Sequence, residues 1–520
     1  MSFRLSRIII LVSLLCSSFV WAQTSPLIMK HADSLAVARK RGFLNLQGRV
    51  HFVQDSIQFK TQEAHWNKNS DVVQCEGGFT FTHPNGYINA RSGIYQKRAA
   101  TATASGDVTA GDSAHTYYFT GDQLSYDREK EILTMPQKPK FYHFEKNKEG
   151  VEDTVTIVAK KIVYNKKEDI ATADENAVIT HKEVTVTAEH IKYNKEQELA
   201  EGHNNVTITH KDVKMSADHG TYNKKDDLAE GHDNVVVVMD STTLSADHLT
   251  YNKKDDFATA YSNVKLTQNE MVVTCDTGYF DRKNNWIAMK GNPTCELKNY
   301  HLTGDSIFLT LDSTGKSLRS ALVIKNAHGI QREDAKKNSP GSITEAFGDT
   351  LYAQFSGNKI EQLYVNVNAR GFFYETDLKE FRNLMDGDRL DLYFSKGKMD
   401  RAVVSGKAQS TYYYVKKDRT VSGKNEASGD TIHILFDAQK NAVKSLRLLG
   451  NSAMASGRYI DMEKYQRIKN ESKLDTLSKP KHFKNMERIK ELRQKNMTSS
   501  SSNFINSSSS TGNTLPKEKK

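Results

Sequence analysis

Tyr164, Tyr193, Tyr222, Tyr251 and Phe280 stand 29 residues apart, and Asn176, Asn205, Asn234, Asn263 and Asn292 keep the same spacing. A fixed period of this length marks a stacked array, in which each unit is too small to bury its own apolar face and must pack on its neighbours. The clear copies read A-[DE]-x-x-x-Y-N-x-x-x-x-[LF]-A-x-x-x-x-N-V. One example is Ala217-Asp218, Tyr222-Asn223, Leu228-Ala229, Asn234-Val235. Running the frame backwards from Tyr95, whose copy opens at Ala90, sets Trp66 at the aromatic position one period earlier. A further period back the frame reaches Val37, after Ala32-Asp33. Tyr126 follows Tyr95 by 31 residues and Tyr164 follows Tyr126 by 38, so two copies carry insertions.

The carboxyl-terminal half keeps a looser form. Gly304-Asp305, Gly348-Asp349, Gly387-Asp388 and Gly429-Asp430 each open an alternating run, at spacings of 44, 39 and 42 residues, and resemble the earlier Gly121-Asp122. Residues from about 27 to 460 therefore form one array. A soft division near Asn299 separates regular copies (23–298) from lengthened ones (299–463).

Within a copy the alternation has period two. In Val184-Thr185-Val186-Thr187-Ala188 the apolar side chains fall on one face and the threonines on the other, as a half-buried strand requires. Polar runs such as Asn223-Lys224-Lys225-Asp226-Asp227 separate the strands and read as hairpin turns. The expected fold is all-β and elongated, an antiparallel array of hairpins, with a parallel β-helix as the alternative. Superimposed copies give stripes expected to point inward: Ile170, Leu199, Leu228, Phe257 and Trp286; Val206, Val235 and Val264, with Ile208, Val237 and Leu266 two residues on; and Val186, Met215, Leu244 and Val273. Spacing alone leaves open whether these stripes fill a closed core or line a groove.

The net charge of +10 is no nucleic-acid signature once it is located. Residues 464–520 hold fourteen Lys and Arg against five Asp and Glu, Arg4 and Arg7 lie at the amino terminus, and the stretch between is nearly neutral. The first 22 residues read as a cleaved export signal: Arg4 and Arg7, the apolar run Ile8 to Leu15, then Val20-Trp21-Ala22. The Ser-rich tail from 464 reads as disordered. Beyond Cys16 in the signal, three cysteines remain; Cys75 has no partner in view, and Cys275 with Cys295, both at inward positions, form a candidate disulfide.

Catalytic chemistry has no local signature. The pairs Asp226-Asp227 and Asp255-Asp256 recur in turns, where solvation explains them. His190, His219 and His248, then His203 and His232, and His181 and His210 also repeat at 29 residues, and duplication of a surface position accounts for them without a metal. A non-enzyme without cofactor, metal or nucleic-acid partner is the expectation.

The elements A-D-x-x-x-Y-[ND], L-A-x-G and N-V-x-[IL], best kept from Ala90 to Asn292, resemble the repeat of the OstA-like (organic-solvent-tolerance) family. That family includes the periplasmic lipopolysaccharide-transport protein LptA and the amino-terminal domain of LptD. The resemblance implies an open antiparallel β-jellyroll whose apolar interior shields the acyl chains of lipopolysaccharide in the periplasm, at or near the outer membrane. It also implies LptC-like and LptD-like jellyroll partners joined end to end by strand pairing, with self-association by the same route. Exposing the dozen or so CH₂ groups of one acyl chain costs about 10 kcal/mol, which is why such a lipid needs a carrier.

Overall fold

The computed structural model describes residues 25–37, 42–146, 152–335, 340–437, 442–450 and 455–462; the expected signal at 1–22 and tail at 464–520 lie outside them. All thirty-three elements are β-strands. Every pairing is antiparallel and hairpin follows hairpin in one continuous sheet from Ile28 to Asp461; where a strand is split in two, as at Gly86–Ala90 and Ser92–Gln96, both halves pair with the same neighbours. The antiparallel register rules out the parallel β-helix. Strands of the regular region, such as Leu199–His210 and Val213–Asn223, are 11 or 12 residues long, whereas those from Leu318 to Asp437 run from 13 to 18. Among the described residues no helix is long and apolar enough to cross a membrane.

Each strand is bent in the middle, and the recurring asparagine makes the bend. Asn205 and the residue before it both take positive φ (54° and 62°), as do Asn234 with Asp233 and Asn263 with Ser262. This left-handed region is tolerated best by Gly and Asn. Two left-handed residues in succession break the register: His203 pairs with His219 and Val206 with Ala217, leaving two residues opposite Asp218 alone. The fold-back is sharp. A Cβ built on Gly202 would stand 3.1 Å from Val206 Cγ1, four residues on in the same strand, where an extended strand separates them by about 13 Å.

The sheet is thereby creased lengthwise into two leaves that face each other across an apolar interior. Its free margins are the two rows of hairpin turns, one carrying the Tyr-Asn turns such as 224–227, the other the short turns such as 211–212. The core is unbroken along the array, from Leu27 and Leu46 to Ile434 and Phe436. At the amino-terminal end the interior is filled by aromatic rings, with Phe52 stacked on Phe59 at 4.8 Å and Phe119 against Phe141 at 4.6 Å. Further along, alanine and glycine replace them and the leaves close up: Gly220 and Gly231 leave no room for a Cβ, which would meet Val206 and Val235 at 2.9 Å.

Candidate functional site: the interior and its seam

The consensus residues divide into those that face the interior and those that shape its walls. Ala217 and Tyr222 point inward and are buried. Asp218 lies at the crease and accepts a hydrogen bond from Asn234 Nδ2 at 2.8 Å, as Asp247 does from Asn263 at 2.7 Å. Gly304-Asp305 and Gly348-Asp349 repeat the arrangement, with Asn326 and Asn368 as donors. Asn223 Oδ1 accepts from the Asp226 N–H and so closes its turn, while the Tyr222 hydroxyl donates to Asp227, a left-handed residue at φ 52°. Burial, together with the adjacent Asp227 carboxylate, pushes the Tyr222 hydroxyl well above the usual phenol range.

Ten of the residues expected inward are in the interior: Val186, Val206, Ile208, Met215, Val235, Val237, Leu244, Val264, Leu266 and Val273. The stripe Ile170, Leu199, Leu228, Phe257 and Trp286 is not; it lies half-buried on the outer face. The strand alternation gives the reason, because the next residue in each copy, Ala171, Ala200, Ala229, Ala258 or Ile287, takes the inward place. On the outside each member of the stripe pairs across with a turn-capping residue, Leu228 with Asn223 and with Asn252. Trp66 is interior as the frame requires, but Val37, on the first strand row, is 68% exposed because no repeat stacks beyond it.

The disulfide expectation is corrected. Cys295 pairs with Val273, two residues from Cys275, and Cys75, Cys275 and Cys295 are free buried thiols. Burial pushes each of them up to about 12, which makes them unreactive.

Among the described residues no strand pairing joins the two margins; side chains close the mouth instead. Arg282 on one margin meets Asp212 on the other at 2.7 Å, and Lys224 meets Asp153 at 3.4 Å. Asp153 also receives His181 at 2.9 Å and Lys182 at 3.3 Å. Burial opposes ionisation of Asp153, but the hydrogen bond from His181 and these cations outweigh it and hold the carboxyl at about 2. Lys195 Nζ to Thr116 Oγ1 (3.5 Å) and Lys166 Nζ to the Asn85 carbonyl (3.4 Å) continue the seam, as do the Tyr300 hydroxyl accepting from Ile360 N–H and Gln331 donating to the Gly397 carbonyl.

The seam gapes beside the Arg282 contact. Between the turn at Asp240 and Ser241 on one margin and Arg282 to Ile287 with Ser313 to Lys316 on the other lies a cleft of about 1160 Å³, open to solvent. Its floor is apolar, built from Leu266, Phe280, Ile287 and Leu311, and Arg282, Lys283 and Lys316 stand on its rim. It falls where the regular strands give way to the lengthened ones.

Residues 136–247 match the family described as OstA-like protein, and residues 214–314 match the family described as LptA/(LptD N-terminal domain) LPS transport protein. The repeats between 136 and 247 are OstA-like. Asn234, Tyr222 and Asp218 thus belong to the OstA-like stretch, and the cleft lies at the end of the second match. Among solved structures, LptH, the LptA homologous periplasmic component of the lipopolysaccharide transport device of Pseudomonas aeruginosa, aligns at 18% identity over 21% of this chain and 80% of its own, with a TM-score of 0.19. No curated protein matches the chain.

Two features of the array escape the asparagine frame. Gly48, Gly77 and Gly106, again 29 apart, take the left-handed crease position (φ 77°, 72° and 81°) in copies that have no asparagine there. Their spacing was present in the sequence. The seam cations carry a signal too, since Lys166, Lys195, Lys224 and Arg282 each stand two residues after the repeat aromatic, whereas the groups they meet, Asn85, Thr116, Asp153 and Asp212, share no residue type.

Proposed function

We propose that this chain is an exported lipopolysaccharide carrier, acting in the periplasm on the way to the outer membrane, which shelters acyl chains between its two leaves and takes them in and out through the seam. One observation carries the reading: an uninterrupted apolar interior whose margins are held only by side-chain contacts. Arg282 and Asp212 are 42% and 39% exposed, and such a pair contributes about 0–1 kcal/mol, far less than the strand ladders, so the seam opens here, while the largely buried Asp153 cluster holds it further back. The cleft is the natural point of access, since its apolar floor suits acyl chains and Lys283 and Lys316, on a rim shared with Asp240 and Asp281, can meet the phosphates of lipid A. The matched family descriptions, lipopolysaccharide transport among them, agree with this and with binding rather than catalysis.

Partners join at the ends. Ile28–His31 and Ser34–Val37 pair only with Phe43–Gln54, and Ala442–Leu449 and Ser456–Asp461 only with Val421–Asp437. Each end therefore offers open strand edges to an LptC-like or LptD-like jellyroll, or to a second copy.

The test is photo-crosslinking to native lipopolysaccharide from Val237 and Leu266, inside, against Leu228 and Thr207, outside. Crosslinks confined to the inside positions support carriage. None there, in protein with native circular dichroism, returns the interior to a plain core.

A further inference from the structure

The outer face bears a feature that lipid carriage does not use. Next to the crease, one cross-strand row runs Asp174, His190, His203, His219, His232, His248, Tyr261, each paired with the next across neighbouring strands. The 29-residue duplication of two positions, one on each strand of the hairpin, brings five histidines into a single line. We propose that the line contains a binding site for a divalent transition metal of the zinc class, held by Glu230, His232 and His248.

The backbone sets the geometry. His232 and His248 are direct cross-strand partners, and Glu230 lies two residues before His232, on the same face of its strand. Glu230 Oε1 stands 3.2 Å from His232 Nε2 and 2.7 Å from His248 Nε2, the two imidazoles stack at 4.3 Å, and the three donor atoms all lie within 4.8 Å of one another. A tetrahedral ion with bonds of about 2.0–2.1 Å needs its donors about 3.3 Å apart, so small rotations admit it with water in the fourth place. His248 is also stacked on Tyr261, which restricts its ring.

The same triad exists one repeat earlier as Glu201, His203 and His219, and comparison of the two shows what distinguishes the site. There Lys192 draws Glu201 away in an ion pair at 3.2 Å, and the histidines meet each other through Nδ1 at 3.2 Å. In the later copy Thr221 replaces that lysine, leaving Glu230 turned to the two rings. Among the described residues only the Glu230 group places three such donors together. A bound ion would tie the strand Leu228–Met239 to Thr242–Asn252 from outside, whichever molecule the interior carries.

Co²⁺ titration of the untagged chain, followed by its visible absorption and by competition with Zn²⁺, tests this. One equivalent giving the intense bands of a tetrahedral site is expected. Affinity should fall about tenfold or more in Glu230→Gln and vanish in His232→Asn/His248→Asn, with Glu201→Gln unchanged. All four positions are on the outer face, and circular dichroism checks that the variants fold. Absence of the bands in the natural chain, an unaltered titration in the double histidine variant, or equal losses in Glu201→Gln and Glu230→Gln would each overturn the proposal.

Discussion

Asn234 shows how much one side chain does in this fold. It holds φ at 53°, donates to Asp218, and by doing so lets the strand Leu228–Met239 turn back on itself. Asn234→Gly keeps the conformation and loses one hydrogen bond, a cost of about 0.5–1.5 kcal/mol. Asn234→Val also forces a β-branched residue into the left-handed region, which adds about 1–3 kcal/mol. Urea unfolding should therefore rank natural chain, Gly, Val, and equal losses for the two variants would refute the crease assignment. The inner and outer stripes differ in the same testable way. Val237, fully buried, should lose about 2–4 kcal/mol on replacement by serine, and half-exposed Leu228 about 1 kcal/mol or less. Asp153 gives a pH signature: its folded carboxyl sits at about 2, below the unfolded value near 3.9, so its contribution is whole above about pH 4 and disappears as pH falls through 2. Asp153→Asn should flatten the dependence of the urea midpoint over that interval; an unchanged slope would remove Asp153 from the seam.

At the scale of the element, the unit is a hairpin with two strands and a crease in each. Deleting residues 199–227 removes one whole unit and restores the same sequence phase, Leu228 following Glu198 as Leu199 did. The shortened chain should keep its β circular dichroism and unfold cooperatively. Deleting only 199–212, one strand with its turn, reverses every later strand relative to the earlier ones, so that the Tyr-Asn turns change margins and the creases fall out of line, and should give insoluble protein. This scale was also the most legible in the sequence, since alternation and Tyr-Asn turns are local. Legibility failed where two readings differ by a single residue. Leu228 and Ala229 are both apolar and only one can face inward; size favours the leucine, but the close leaves admit only the alanine. Cys275 and Cys295 do both face inward, but the register sets them two residues out of line, which local alternation does not reveal.

For the molecule as a whole, stability is unevenly distributed. The crease is bound by backbone ladders and the seam by side chains such as Arg282, 42% exposed in its pair with Asp212. Hydrogen exchange should be slow along the crease and fast at the turns, and Asp153→Ala with Asp212→Ala should speed exchange at the margins while leaving crease amides such as that of Val235 unchanged. Uniform acceleration would mean that the molecule opens as one body. Periodicity reveals the array, its apolar inside and the basic residue two after each repeat aromatic, but not the mouth, because the groups those cations meet, Asn85, Thr116, Asp153 and Asp212, are of unlike type and lie more than two copies back.

Those contacts also skip along the chain. Arg282 reaches back 70 residues to Asp212, Lys195 reaches back 79 to Thr116, and Lys166 reaches back 81 to Asn85. Hairpins close among near neighbours as soon as they emerge from the ribosome, but each of these three stitches waits for more than two further repeats. Over this region the nascent molecule is a creased ribbon at its growing end and a closed trough only well behind it, and for that interval the apolar strip between lies bare to whatever receives the chain.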